Sequence, residues 1–73
     1  MKQFSVVKIS SLKKTFNFSE NSFGSRPPRV GDIASILDVY NADFELECSD
    51  ETGVTVWLEI FKPEDAELEF ICL

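Results

Sequence analysis

The amino-acid sequence predicts a small, mainly β, five-stranded barrel, and three observations carry that prediction. Between Asp43 and Ile60 apolar and polar residues alternate through two stretches, and a period of two belongs to strands with one dry face and one wet face. The remaining apolar runs are short, rich in Val, Ile and Phe, and bounded by Gly, Pro, Asn and Ser. Size is the third observation: a chain of 73 residues buries only about 60% of its unfolded surface, which permits one modest core and no second domain. Residues 1–73 are therefore expected to form a single domain, and closing so small a sheet into a barrel removes most of its exposed edges.

The first strand is expected over Phe4–Ile9, FSVVKI, with Val7 and Ile9 facing inward and Lys8 facing water. Ser10 to Val30 follows, where polar turn formers are interleaved with Leu12, Phe16, Phe18 and Phe23. A structureless loop of that length is unusual in a compact domain, so it is expected to hold a local hairpin or to wrap the core with its Phe side chains packed. Pro27 and Pro28 fix an extended path and remove two amide donors, making a stiff lead-in to the next strand rather than a rung of a central ladder. Gly31-Asp32 supplies turn chemistry. Ile33–Tyr40 has the β-branched content of a strand, and its imperfect alternation predicts a bulge or a strong bend.

In the following strand Phe44, Leu46 and Cys48 alternate with Asp43, Glu45, Glu47 and Ser49. Ser49 to Gly53 is a polar connection of the kind a hairpin needs, with Gly53 expected at positive φ. Carrying the parity forward places Val54, Val56, Leu58 and Ile60 on the buried face and Thr55, Trp57, Glu59 and Phe61 opposite. Pro63 and the acidic residues after Lys62 predict one turn of helix, because Pro pre-sets φ and carboxylates complement exposed amides. Leu68 to Leu73 alternates again and supplies a closing strand. Five short strands, one long early loop and one helical turn before the last strand give the order of a small SH3-like barrel.

The segments RPPRVGDIASILDVY and DFELECSDETGVTVWLEIFKPEDAELE, together with the opening FSVVKI, resemble an uncharacterised family of small bacterial proteins with an SH3-like barrel. The shared pattern is a Gly-Asp entering a β-branched strand that ends in Val-Tyr, an acidic hairpin, a T-x-W-L strand and an acidic Pro-Glu tail. It spans most of the chain and is weakest from Ser10 to Ser25. Ala34 stands where that pattern often has Gly, and Phe61 adds a bulky residue to it. The resemblance implies the fold and no biochemistry, since SH3-like barrels host many unrelated functions. It also implies, loosely, a setting in mobile gene cassettes or near toxin systems.

Charge is segregated along the chain. Six cations against Glu20 alone give residues 1–31 a charge of +5, while Lys62 against twelve carboxylates gives residues 32–73 a charge of −11, for a net −6. Either a basic first segment lies across an acidic barrel and the two neutralise each other, or an acidic face waits for a basic partner. The opening stretch is too short and too interrupted for a signal-peptide core, and no run approaches the roughly 20 apolar residues of a membrane helix. The expectation is a cytoplasmic protein with no membrane partner. Cys48 and Cys72 lack zinc or redox spacing and read as small buried hydrophobes, so neither metal nor cofactor is expected.

With no His in the sequence, the commonest general base and metal ligand is missing, and no catalytic set is expected. The pairs Glu45 with Glu47 and Glu67 with Glu69 share strand faces and have the chemistry for a hard cation, but solvated faces look the same. Lys13, Lys14, Arg26 and Arg29 beside Phe16, Phe18 and Phe23 have the residue types of an RNA-binding loop, which the acidic remainder opposes. Trp57 and Phe61, with Tyr40, form an aromatic docking patch if their face is open, or a second small core if the loop covers them. Arg26 and Arg29 flank the Pro pair as a recognition corner or as partners for nearby carboxylates. The preferred reading is a non-enzymatic protein-binding module, a homodimer among its arrangements, using Tyr40, Trp57 and Phe61 rimmed by Glu45 and Glu47. The alternative is an immunity or antitoxin-like inhibitor whose Glu45, Glu47, Asp50 and Glu51 cover a basic toxin site, and RNA binding is the third.

Overall fold

The computed structural model describes the chain from Ser5 to Cys72, and side chains from Ser5 to Ile71. The readings for Phe4, Leu73 and the Cys72 side chain lie outside these residues. Five strands form: β1 (Val6–Leu12), β2 (Ile33–Tyr40), β3 (Asp43–Ser49), β4 (Thr55–Phe61) and β5 (Ala66–Cys72). They make one antiparallel sheet in the order β4-β3-β2-β1-β5. The bulge expected in β2 is present as a register shift between Ile36 and Asp38.

Two architectural expectations need correction. The sheet is not closed into a barrel by pairing of β4 with β5, which remain its two edges. The helical turn is also absent: residues 62–65 form a tight turn in which the Asp65 N–H donates to the Lys62 carbonyl at 3.0 Å and the Lys62 N–H donates to Asp65 Oδ2 at 2.9 Å. Strand alternation wins over the helix-start signal there, because Ala66 and Leu68 pack against the core while Glu67 and Glu69 stay exposed.

In place of β4–β5 pairing, the loop between β1 and β2 crosses the open side. The Lys13 N–H donates to the Asp65 carbonyl at 2.8 Å, the Phe16 ring lies 4.5 Å from that of Phe61, and the Ser25 N–H donates to the Val56 carbonyl at 2.8 Å. Gly24 sits across from Trp57 with φ +89°. A side chain cannot be accommodated at Gly24, since a Cβ would overlap the Val56 carbonyl. The loop thus wraps the core as expected, but only Phe16 of its Phe residues is buried; Phe23 is 69% exposed.

The core comprises Val7, Ile9, Phe16, Ala34, Ile36, Leu46, Cys48, Trp57 and Phe61. β3 keeps the expected parity, with Leu46 and Cys48 buried. β4 reverses it: Trp57 and Phe61 are 0% exposed, whereas Ile60 and, just before the strand, Val54 lie half or more open to solvent. Only Val56 of the residues expected inside packs against the core, half-buried. The pairing explains why. Cys48 faces Trp57, Leu46 faces Glu59 and Phe44 faces Phe61, and directly opposed residues share a face, so a buried Cys48 takes Trp57 inward with it. Between Cys48 and Ser49 the register shifts by one, with Ser49 opposite Thr55 and Val56 as the additional residue. One such slip moves a whole side-chain set to the other face.

Candidate functional site

Two arrangements on either side of β4 gather the polar and aromatic residues singled out by sequence. The first centres on Asp32. The Arg26 guanidinium donates from Nη1 to Asp32 Oδ2 and from Nη2 to Oδ1, each at 2.8 Å, a bidentate pair. The Arg29 N–H and the Trp57 indole N–H both donate to Oδ2 at 2.8 Å. A turn from Arg29 to Asp32, closed by the Asp32 N–H on the Arg29 carbonyl at 3.1 Å, aims the carboxylate inward. Burial pushes the Asp32 carboxyl up, but Arg26 and the N–H donors of Arg29 and Trp57 outweigh it and hold it below the usual carboxylate range.

This arrangement corrects the aromatic patch. Trp57 and Phe61 share a face, as parity requires, but that face is the core, with ring centroids 5.7 Å apart. Neither offers a surface for docking. Tyr40 lies apart from them, 46% exposed on the other side of the sheet, its hydroxyl 3.4 Å from Glu45 Oε1. Partial burial and the nearby Glu45 and Asp38 raise its phenol above the ordinary value. Arg26 is committed to Asp32, while Arg29 contributes its backbone to the knot and extends an exposed side chain.

The second arrangement is the outer side of the β3–β4 hairpin. Glu45 pairs with Ile60 and Glu47 with Leu58 across the strands, so carboxylates stand beside aliphatic side chains on one face. Phe23, Glu45, Leu58, Glu59 and Ile60 line an open groove of about 310 Å³. Glu47 Oε2 accepts from the Thr55 hydroxyl, and Asp50 Oδ1 accepts from the N–H groups of Thr52 and Val54 and from the Thr52 hydroxyl, shaping the hairpin turn with Gly53 at φ +86° as expected. Burial raises the Glu59 carboxyl against the opposing pull of Lys14.

Ion pairing separates the two sides. Among the described residues the three ion pairs are Lys13–Glu67 at 3.1 Å, Lys14–Asp65 at 3.9 Å and Arg26–Asp32, each joining a cation of the basic first segment to a carboxylate of the acidic remainder. Glu45, Glu47, Asp50 and Glu51 have no cationic partner in that set. The first segment therefore neutralises one side of the sheet and leaves the β3–β4 hairpin acidic. Lys13 and Lys14 also line a second groove, of about 430 Å³, with Leu12, Thr15, Phe16, Pro27 and Pro28. There Lys14 Nζ lies 4.9 Å from the Phe16 ring centre.

The Cys48 thiol is buried, and burial with the nearby Asp32 carboxylate pushes its pKa up, the reverse of what a nucleophile requires. No group of three or more Cys, Asp or Glu side chains among the described residues is placed to hold a metal ion. No helix among them is long and apolar enough to cross a membrane. What fold and surface define together is a small antiparallel β domain with an acidic, aliphatic outer hairpin. No family model, curated protein or solved structure matches the chain. Sequence reasoning located Glu45, Glu47 and Tyr40 on this surface but missed Leu58, Ile60 and Phe23; the Cys48–Ser49 slip hid the first two.

Proposed function

We propose that this chain is a non-enzymatic protein-binding module of SH3-like topology that docks its partner on the outer face of the β3–β4 hairpin. The topology reading is supported by the order β5-β1-β2-β3-β4, by the long loop after β1 and by the tight turn before β5. The observation that carries the docking surface is the coincidence of carboxylates lacking a cationic partner with apolar side chains open to water: Glu45 and Glu47 beside half-buried Leu58 and exposed Ile60, with exposed Phe23 at the end of the groove. Hydrogen bonds from Thr55 and Tyr40 leave the charge of these acids uncompensated, and uncompensated carboxylates steer a basic partner and reject acidic ones. A copy of the same chain docking face to face would set Glu45 and Glu47 against their equivalents, so the charge favours a different, basic protein over a homodimer and disfavours nucleic acid.

Ile60→Lys tests this reading, with Val30→Lys as an exposed control on the β1–β2 loop. Crosslinking in cell extract is expected to capture a basic protein with the wild type and with Val30→Lys, and to lose it with Ile60→Lys. Equal capture by all three, or sedimentation showing a stable homodimer through this face, would remove the reading. A second reading, an immunity or antitoxin-like inhibitor, uses the same four carboxylates, Glu45, Glu47, Asp50 and Glu51, to cover a basic toxin site. It is favoured if the captured protein is a nuclease or other toxin whose activity the wild type inhibits and the quadruple amide variant does not.

A further inference from the structure

The loop covers only part of the β4 edge. The Ser25 N–H meets the Val56 carbonyl, and Gly24 opposes Trp57, so coverage runs as far as Trp57. The same contact fixes which way the backbone faces. Trp57 is the bridged residue between neighbours that reach toward the loop, and the register with β3 continues unbroken from Cys48↔Trp57 to Phe44↔Phe61. Odd-numbered residues of β4 therefore bond to β3, and even-numbered ones point their backbone groups away from it. Beyond the bridge, the Leu58 carbonyl and the Ile60 N–H and carbonyl have no backbone partner outside the sheet among the described residues.

Side chains along this open edge divide by face. On the outer face, Leu58, Ile60 and Phe23 present aliphatic and aromatic surface with Glu45 one strand further in, while Glu59 stands on the opposite face at the same edge. No cation lines the groove, and Lys14, the cation that acts on Glu59, is paired with Asp65. We infer that the open half of the β4 edge takes up an extended segment of a partner protein as an added strand, one in which Lys or Arg alternates with aliphatic residues. Aliphatic side chains of such a segment continue the Leu58–Ile60 surface, and its cations fall on the side of Glu59. This rests on the protein-binding reading and adds its mode and its partner's chemistry. A second copy fits less well, because its own edges carry Glu59 on β4 and Glu67 and Glu69 on β5.

The probe is a short capped peptide alternating Lys and Val, titrated into the isotopically labelled full chain by NMR. Its companions are the same peptide N-methylated at every Val, the same N-methylated at every Lys, and a Glu/Val version. An added strand uses one edge, so one N-methylated form is expected to bind and the other to lose about tenfold or more in affinity, the scale of one or two lost hydrogen bonds. Exchange of the Ile60 amide is expected to slow by about tenfold or more at saturation. The Glu/Val peptide is expected not to bind, and Glu59→Gln to weaken the Lys/Val peptide a few-fold. Equal binding of both N-methylated forms would overturn strand addition while leaving the docking face intact. Absence of Lys/Val binding at millimolar peptide would overturn the inference outright. Failure of the docking face itself shows separately, as Ile60→Lys without effect on partner capture.

Discussion

Around Asp32 four N–H donors converge on one carboxylate and the adjoining aromatic rings are sealed in the core, whereas on the outer side of the β3–β4 hairpin carboxylates stand among aliphatic side chains that remain in contact with water. Both regions are built from acids and large apolar residues, and they differ in whether the acid has a cationic partner. A satisfied, enclosed polar group fixes one geometry, as when the indole N–H of a buried Trp finds its acceptor. An exposed acid beside exposed aliphatics does nothing comparable for the fold. The difference teaches that the residues that hold this domain together and those of the proposed docking surface lie on opposite faces of the same strand.

Substitutions can break or sharpen that division. Trp57→Ala is expected to have the largest effect, about 3–5 kcal/mol from lost burial and the cavity together, against a total of roughly 4–11 kcal/mol at the usual 0.05–0.15 kcal/mol per residue. Urea denaturation would show an unfolded or barely folded chain, and an unchanged midpoint would break the comparison. Asp32→Asn comes next, at about 1.5–3 kcal/mol for lost charge-assisted hydrogen bonds. Because the folded Asp32 carboxyl is held below its ordinary value, its contribution is present above about pH 4 and is lost as pH falls through the folded value. The variant should therefore show a shallower loss of stability in acid, while a limb identical to the wild type's would place the acid sensitivity elsewhere. Asp50, also held low, by the Thr52 hydroxyl and the Val54 amide, keeps part of that limb in place.

Ile60→Lys sharpens the contrast from the other side. With Ile60 half exposed, its denaturation midpoint should move by no more than about 0.5 kcal/mol even as partner capture disappears. Lys13→Ala is expected to matter least. The Lys13–Glu67 pair is more than half exposed at both ends, and such pairs contribute about 0–1 kcal/mol. A thermal melt shifted strongly by Lys13→Ala would mean that the exposed pair, rather than the Asp32 knot, anchors the loop.

The sheet was largely legible in the sequence, and the apolar residues of the proposed docking face were not. Ile33–Tyr40 and Asp43–Ser49 follow directly from β-branched content and alternation, and Val7 and Ile9 point inward as their parity requires. β4 failed because alternation alone cannot say which of two apolar faces is inside. Val54, Val56, Leu58 and Ile60 are as apolar as Trp57 and Phe61, and only the one-residue slip opposite Ser49 decides between them. Asp32 read as turn chemistry, and its long-range bond to Trp57 could not be inferred from spacing. The Pro-Glu-Asp signal after Lys62 gave way because Ala66 and Leu68 pack against the core as alternate residues of β5, which leaves residues 62–65 to a tight turn.

The placement of β1 inside the sheet, between β2 and β5, carries a consequence for the order of assembly. β2, β3 and β4 are joined by tight hairpins and can zip up through neighbouring contacts, but Val6 pairs with Cys72 at the far end of the described chain. Contacts so distant along the polypeptide close late and slow the overall rate. A chain emerging during synthesis would hold its three-stranded meander first and keep Val7 and Ile9 unshielded on one flank until the last strand arrives.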